Sequence, residues 1–509
     1  MRVYALYALI TFLSIRAYRD YFLSLCGLVV LAALTPHPDW PSSVLGIQGA
    51  NPWNLLLLNV CIAWWQQRQA EGLKWDMPGY IMVLLIAYGA VMMIGSIRLF
   101  HDLTGLEHFS KGYLISEYIV NTYKWVVPAL LLYDSCRTPE RVGQALMAIF
   151  AFYMVLALLI IRWMPPQYLV NGETLERRSL KVLVQGMGWH RVNLSAMLSG
   201  VSWALLTCTL LWRKHRRYVI AAAGIVLLGQ ALTAGRMGYV AWAGVGFCIS
   251  LLRWRKYLLL VPIVPILVIL FVPSVAQRML QGVSTKSGKV DTMTLTASRT
   301  LIWPYVIEKI AQRPFVGYGR EAMIRTRLTA FLKIFLNEEF AHPHNAYLQW
   351  LFDNGLLGAI PVAIFFLCVL WQAIALTRAK DDTGLYLAVG GTTFALIMGH
   401  LFSSLGSQTF YPREGAVPFW VAMMLTLRAT QMQMAASVPK ATRRVVRGGR
   451  IAVRIPAAAA AAAPASAAAP APAAAATAPR LRAGQRTLPR QEATGARPAA
   501  AGRGPGRRF

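Results

Sequence analysis

HPHNAYLQWLFDNGLLGAIPVAIFFLCVLWQAIAL, His342 to Leu376, is the stretch that decides the fold. From Leu356 onward it is a continuous apolar run without polar alternation, which reads as a helix and not a strand. A helix rises about 1.5 Å per residue and bilayer hydrocarbon is about 30 Å thick, so about 20 such residues cross it. The front of the stretch is polar: His342, His344 and Asn345 close a long loop and open the helix. An imidazole titrates near neutral pH. Set at a membrane surface, at the mouth of a helix bundle, it can act on a substrate carried by a lipid.

Working outward, apolar runs recur over residues 4–15, 21–35, 53–65, 78–99, 118–133, 142–161, 194–212, 218–234, 237–252, 257–272, 356–376, 385–401 and 416–427. The first three are short, so the expected number of spans is 11 to 13. Backbone groups cannot stay unpaired in lipid, so the runs predict an all-α polytopic membrane helix bundle over residues 1–435. The composition agrees: 56% hydrophobic against 14% charged exceeds what the core of a soluble domain needs. Cys26, Cys61, Cys136, Cys208, Cys248 and Cys368 show no CxxC spacing and sit mostly in or beside apolar runs, so they read as buried thiols. Neither a disulfide framework nor a zinc site is expected. The first run is followed by Arg16 and another span, and is read as retained rather than cleaved.

The formal charge of +30 does not imply nucleic acid, because much of it lies in the tail and the rest marks loops. Short basic loops stay on the cytoplasmic side. RKHRR at 213–217, RWRK at 253–256, Arg137 with Arg141, Arg378 with Lys380, and the tail after Arg428 are therefore placed inside. Outside fall residues 103–117, 162–191, the turn at Gly235–Arg236, the loop 274–343 and residues 402–415. The parity of the N-terminal spans stays open. The external loop 274–343 is itself basic, with Arg299, Lys309, Arg313, Arg320, Arg325 and Arg327, which invites an anionic substrate on that face. Within it, TASRTLIWPYVIEKIAQRPFVGYG (296–319) has helical apolar spacing at Leu301, Ile302, Tyr305, Val306 and Ile310, and ends at Pro314 and the Gly317–Gly319 pair. It predicts an amphipathic helix at the membrane surface or capping the bundle. Residues 436–509 are Ala/Pro-rich and basic with almost no large apolar side chain, and read as a disordered cytoplasmic tail near membrane lipids.

Three positions share the external face: Arg236, Arg299 and His344. Arg236 lies between two spans with almost no loop, where a guanidinium either snorkels to the interface or reaches an anion or a water-filled cavity. Arg299 opens the amphipathic helix, where a solvated surface arginine is the bland reading. His344 suits a general base, though it also fits a helix-capping role. Asn345 suits the helix start, since its side chain accepts a backbone N–H there. His342 and His344 near Glu338 and Glu339 offer metal ligands, but without the spacing of zinc motifs, and guanidinium forks neutralise phosphate without a cation. No metal or cofactor is expected. The Gly317–Gly319 turn lacks the strand–helix setting and lysine of a nucleotide loop. Asp353, Asn354 and Gly355 read as a kink or turn.

LTAGRMGYVAWAGV (232–245), SRTLIWPYVIEKIAQRPFVGYG (298–319) and HPHNAYLQWLFDNGLLG (342–358), in this order and spacing, resemble the O-antigen ligase/polymerase superfamily of bacterial inner-membrane glycosyltransferases over about residues 194–427. Gly235 stands where that family commonly has serine. The resemblance implies a GT-C-like fold and transfer of a glycan from undecaprenyl diphosphate to an acceptor on the periplasmic face, without metal and with inversion. The acceptor is lipid A core, another glycan or a protein. Residue by residue it implies that Arg236 and Arg299 bind the donor diphosphate and that His344 takes the acceptor proton. A ligase-like transferase is the leading reading, a repeat polymerase for O-antigen or exopolysaccharide the runner-up. A flippase for lipid-linked sugars is the rival of another class, and would place its charges at the bilayer midplane rather than at one face.

Overall fold

The computed structural model describes residues 2–44, 46, 49–260, 263–280, 299–337, 339–380, 382–406 and 410–437. The expected tail at 436–509 lies almost wholly outside the described residues, as do Glu338 and residues 281–298 of the long loop. Among the described residues the chain is helical throughout, as the uninterrupted apolar runs predict. Four helices are long and apolar enough to cross a bilayer: Gly79–His101, Pro139–Trp163, Ala346–Arg378 and Leu385–Ser403. Shorter apolar helices cover Val3–Ala17, Tyr21–Leu34 and Arg236–Leu252. This is an all-α polytopic membrane protein.

Helix Leu385–Ser403 packs against Ala346–Arg378, Arg236–Leu252, Val201–Thr207 and Val417–Ser437. Its sequence explains that central place. Water does not squeeze helices together inside lipid, so close approach depends on small side chains. A Cβ on Gly390 would lie 2.6 Å from the Ala373 carbonyl oxygen, one on Gly391 2.6 Å from Thr207 Cβ, and one on Gly399 2.7 Å from Ser199 Oγ. The glycines let three neighbouring helices approach one axis. The aromatic layer around Tyr88 fills the adjoining space, with Trp350 stacked at 5.7 Å and Trp420 at 5.4 Å.

Three expected spans take a different form. Residues 118–133 are not one helix but a π turn at Ser116–Val120, a short helix Asn121–Lys124 and then Val127–Ser135, entered through Pro128, which has no N–H to continue the ladder. Residues 194–212 break after Leu198, because Gly200 presses its backbone onto helix Leu385–Ser403, with a Cβ there 2.2 Å from Ala395 O. The span expected from Leu356 begins ten residues earlier, at Ala346, and is interrupted at Gly355 (φ 63°, ψ −171°). A further amphipathic helix, Gly172–Met187, lies in the 162–191 loop, opened by the Asn171 side chain on the Glu173 and Thr174 amides.

The Gly355 interruption is closed by residues 314–320, which follow helix Arg299–Gln312. Leu356 N–H donates to Pro314 O at 2.8 Å and Leu357 N–H to Phe315 O at 2.9 Å. In return Tyr318 N–H donates to Phe352 O at 2.8 Å and Gly319 N–H to Asp353 O at 2.6 Å. Backbone groups released by a broken membrane helix need such partners. The Gly317–Gly319 turn is therefore a strap that completes the interrupted helix. Gly355 fits for two reasons: its φ is positive, and a Cβ would lie 2.4 Å from Phe315 O.

Candidate active site

The HPHN segment is fixed from both sides. Asn345 caps helix Ala346–Arg378, its side-chain oxygen accepting from Tyr347 N–H at 3.0 Å and Leu348 N–H at 3.2 Å. Trp303, from the helix that begins at Arg299, donates its indole N–H to Pro343 O at 2.9 Å. Ala346 N–H donates to Ser404 O at 2.8 Å. Between these ties His344 adopts φ 52°. A non-glycine residue in that region carries about 1–3 kcal/mol of backbone strain, held by its surroundings. The His342 and His344 rings meet nearly edge to face, with centroids 4.2 Å apart.

Both imidazoles line a cavity of about 460 Å³ together with Arg299, His190, Arg413 and Tyr411. Arg299 Nη2 donates to Gly406 O at 3.1 Å. Burial pushes the His344 imidazole down to about 4, and the positive fields of Arg299 and His190 push the same way. His342 is also pushed down to about 4, first by burial and then by His344, Arg413 and Arg299. Both are therefore neutral at physiological pH, each keeping one ring nitrogen as an acceptor, and His342 Nδ1 accepts from the His344 backbone N–H at 3.4 Å. Burial lowers the Arg299 guanidinium too, and Arg236 adds to it. Arginine remains charged after any such shift. The cavity thus combines fixed positive charge and one acidic residue, Glu414, with neutral bases.

Arg236 is not among the cavity-lining residues. It opens helix Arg236–Leu252 on the far side of Gly406, whose added Cβ would touch both Met237 (Cγ 2.3 Å) and Arg299 (Nη1 3.0 Å). Its field reaches Arg299, and its own surroundings include Glu176, Arg191 and Arg278. Glu176, on helix Gly172–Met187, pairs with Arg191 at 3.0 Å and with Arg278. Gly235 owes its identity to packing rather than to its dihedral angles (φ −87°). Ser195 Oγ donates to Gly235 O at 2.9 Å, and a Cβ on Gly235 would lie 2.3 Å from that same Oγ.

Sequence reasoning passed over four cavity residues. His190 caps helix Arg191–Leu198 from the 162–191 loop. Arg413 and Tyr411 come from the 402–415 loop, and His400 sits inside a span, its ring stacked on Phe419 at 4.5 Å and its Nε2 without a hydrogen-bond partner. No sequence signal singled out any of them, since the basic loop that did stand out, 274–343, contributes none of the four. Behind the wall, Tyr411 donates to Asp353 Oδ2 at 2.8 Å and accepts from Asn354 at 3.0 Å, while Arg320 covers its ring at 4.1 Å. The kink residues Asp353 and Asn354 thus brace a cavity residue. Among the described residues no three His, Cys, Asp or Glu side chains gather in metal-holding geometry, and Glu339 is held by Lys333 at 2.7 Å.

Comparison with known proteins bears on the same segment. Residues 221–363, which contain Arg236, Arg299 and His344, match the family model described as O-Antigen ligase. Over 100 residues, 19% of this chain and 18% of the relative, the sequence is 29% identical to the ComP-specific O-oligosaccharyltransferase of Acinetobacter baylyi. Over 184 residues, 35% of this chain and 44% of the relative, it is 26% identical to a Rickettsia felis protein named as a polysaccharide ligase. The matches cover less than half the length of either curated relative. The chain is thus similar, over part of its length, to proteins named for oligosaccharide transfer and polysaccharide ligation.

Proposed function

We propose, taking the O-antigen ligase match over residues 221–363 as premise, that this chain is a ligase-like glycosyltransferase of the bacterial inner membrane. It moves a glycan from undecaprenyl diphosphate to an acceptor hydroxyl on the periplasmic face, with inversion and without a metal. The supporting observation is the cavity of about 460 Å³ in which Arg299, Arg413, His190, His342 and His344 converge. The donor carries a diphosphate, and its departure from the anomeric carbon places growing negative charge on the leaving oxygen. Guanidiniums already in place favour that charge without reorganising. Arg299 takes the diphosphate directly, and Arg236, beside it, adds its field.

His344 accepts the proton of the attacking hydroxyl. An imidazole near 4 is a weak base at neutral pH, and the cause of the weakness matters. Part of it is the field of Arg299, which a bound diphosphate neutralises. Donor binding therefore raises the basicity of His344, and the base gains strength only when there is a glycan to transfer. The free enzyme loses its base as pH falls through about 4, whereas the donor complex loses it at higher pH. In a pH–rate profile the acid limb of kcat lies above that of kcat/KM.

The test is transfer by the purified full chain from undecaprenyl-diphosphate-linked glycan to lipid A core, glycan or protein acceptors. His344→Ala is expected to lose transfer while remaining inserted and folded. Normal turnover by that variant eliminates His344 as the base. The acceptor that receives the label, and whether product grows by repeats, separates a ligase from a polymerase.

A further inference from the structure

Outside the active site, a second cavity of about 450 Å³ opens between the end of helix Gly79–His101 and the loop helix Arg299–Gln312. Lys309, Arg313 and Arg325 line it, with Asp102 as the acid among its lining residues. Asp102 is already taken: Arg325 reaches its Oδ2 at 3.1 Å and its backbone oxygen at 2.8 Å. Arg98 joins from the last turn of Gly79–His101, since a Cβ on Gly319 would touch both Arg325 Nη1 (2.7 Å) and Arg98 Cβ (2.9 Å). Arg98 is oriented by the carbonyls of Val316 at 2.5 Å and Gly317 at 2.8 Å. The pocket keeps an excess of positive charge.

The surroundings say which anion fits. Beside the basic residues lies an exposed apolar strip: Ile94 and Ile97 on one helix, Leu357 and Ile360 on the next, and Phe315 with Val316 on the strap between them. Phe315 is 62% exposed and Leu357 62%, and the two are adjacent through the Leu357–Phe315 backbone hydrogen bond. Helices Gly79–His101 and Ala346–Arg378 pack together and both are long and apolar enough to cross a bilayer, where this strip would face acyl chains. Basic side chains at the end of such a strip stand at headgroup height.

We propose that this pocket binds the phosphate of an anionic phospholipid whose chains lie along the Ile94–Leu357 strip, so that the loop helix carrying Arg299 is anchored to the bilayer surface. A soluble anion would not need the strip, and a zwitterionic lipid would not need the charge. The occupant is an anionic phospholipid, held apart from the active-site cavity by the strap. This proposal does not rest on the glycosyltransferase reading.

The experiment uses the full chain in phosphatidylcholine nanodiscs doped with photoreactive phosphatidylglycerol, and maps crosslinked peptides by mass spectrometry. Crosslinks are expected to concentrate on peptides spanning residues 94–98 and 309–318. The double variant Lys309→Gln/Arg313→Gln is expected to lower that signal roughly tenfold, the scale of removing two charges facing an anionic headgroup. The charge-keeping variant Lys309→Arg/Arg313→Lys is expected to retain it. Equal labelling by photoreactive phosphatidylcholine overturns the proposal, as does a wild-type signal in the glutamine variant. Loss of the label to millimolar inorganic phosphate assigns a free-anion site and also overturns it. Because both lipid reagents are compared on the wild-type chain, the result stands even where the double variant folds poorly.

Discussion

At one end of the bundle Arg68, Arg137 and Arg428 meet Asp76 and Asp134; at the other Arg236, Arg299 and Arg413 gather near His190, His342 and His344. Phe419 lines the site, and Arg428 lies nine residues further along the same helix, about 14 Å at 1.5 Å per residue. The first cluster is saturated. Arg428 forms a two-pronged pair with Asp76 at 2.8 Å on each prong, Arg137 pairs with Asp134 at 2.8 Å, and Arg68 and Trp64 share the other Asp134 oxygen. Nearly every charge there has a partner, which is how a structural cluster at a helix-bundle end should look. In the second cluster Arg299 donates to a neutral carbonyl and the imidazoles are kept uncharged by burial and by neighbouring cations. Arg299 and Arg413 line the cavity against one carboxylate among its described lining residues, Glu414, and that surplus of positive charge suits an anion from outside.

The contrast can be broken by mutation, starting where the effect is largest. His344→Ala is expected to lower glycan transfer by about 10²–10⁴-fold with an unchanged melting temperature. Asp134→Ala should do the reverse: it strands Arg68 and Arg137 beside one another and costs about 3–5 kcal/mol of stability, read as loss of folded protein in a thermal melt. An activity defect in Asp134→Ala at a temperature where it stays folded would erase the distinction between the clusters.

Arg299→Lys keeps the charge and loses the planar fork, and is expected to raise the KM for donor about 10-fold; an unchanged KM places the diphosphate elsewhere. A milder effect follows from pH. The folded-state imidazoles of His342 and His344 lie below their ordinary range, so the unfolded chain binds protons first as pH falls. Their contribution to stability is whole above about 6.5 and is lost as pH falls toward about 4. Removing either imidazole should flatten the melting temperature across that window. The smallest effect expected is from Gly235→Ala, whose Cβ meets Ser195 Oγ at 2.3 Å. It should cost about 1–3 kcal/mol by overpacking, recovered in large part by adding Ser195→Gly.

The span pattern was legible because lipid leaves the backbone one solution, and long apolar runs such as 142–161 and 385–401 announce it. The breaks were harder to read. Gly200 and Gly235 are set by contacts with Ala395 and Ser195, distant in sequence, so no local signal distinguishes them from tolerated glycines. The Asp353–Asn354–Gly355 kink was visible in the residue types, but its partner, the strap at 314–320, was not, since backbone hydrogen bonds carry no side-chain signature. At the site, Arg236, Arg299 and His344 stood out by residue type and by resemblance to a family pattern. His190 and Arg413 come from loops whose sequence says only that they are polar, and His400 hides in an apolar run.

The break at Gly355 divides one long helix into a membrane part and a short stalk that begins at the Asn345 cap. Two amide links button the stalk to the strap, Tyr318 to Phe352 and Gly319 to Asp353, and two more tie the membrane part to the same strap, at Leu356 and Leu357. Both sides of the break therefore hang on one short segment of the loop. Any movement of that segment is shared by stalk and span, and the imidazole mounted at the stalk's tip moves with both.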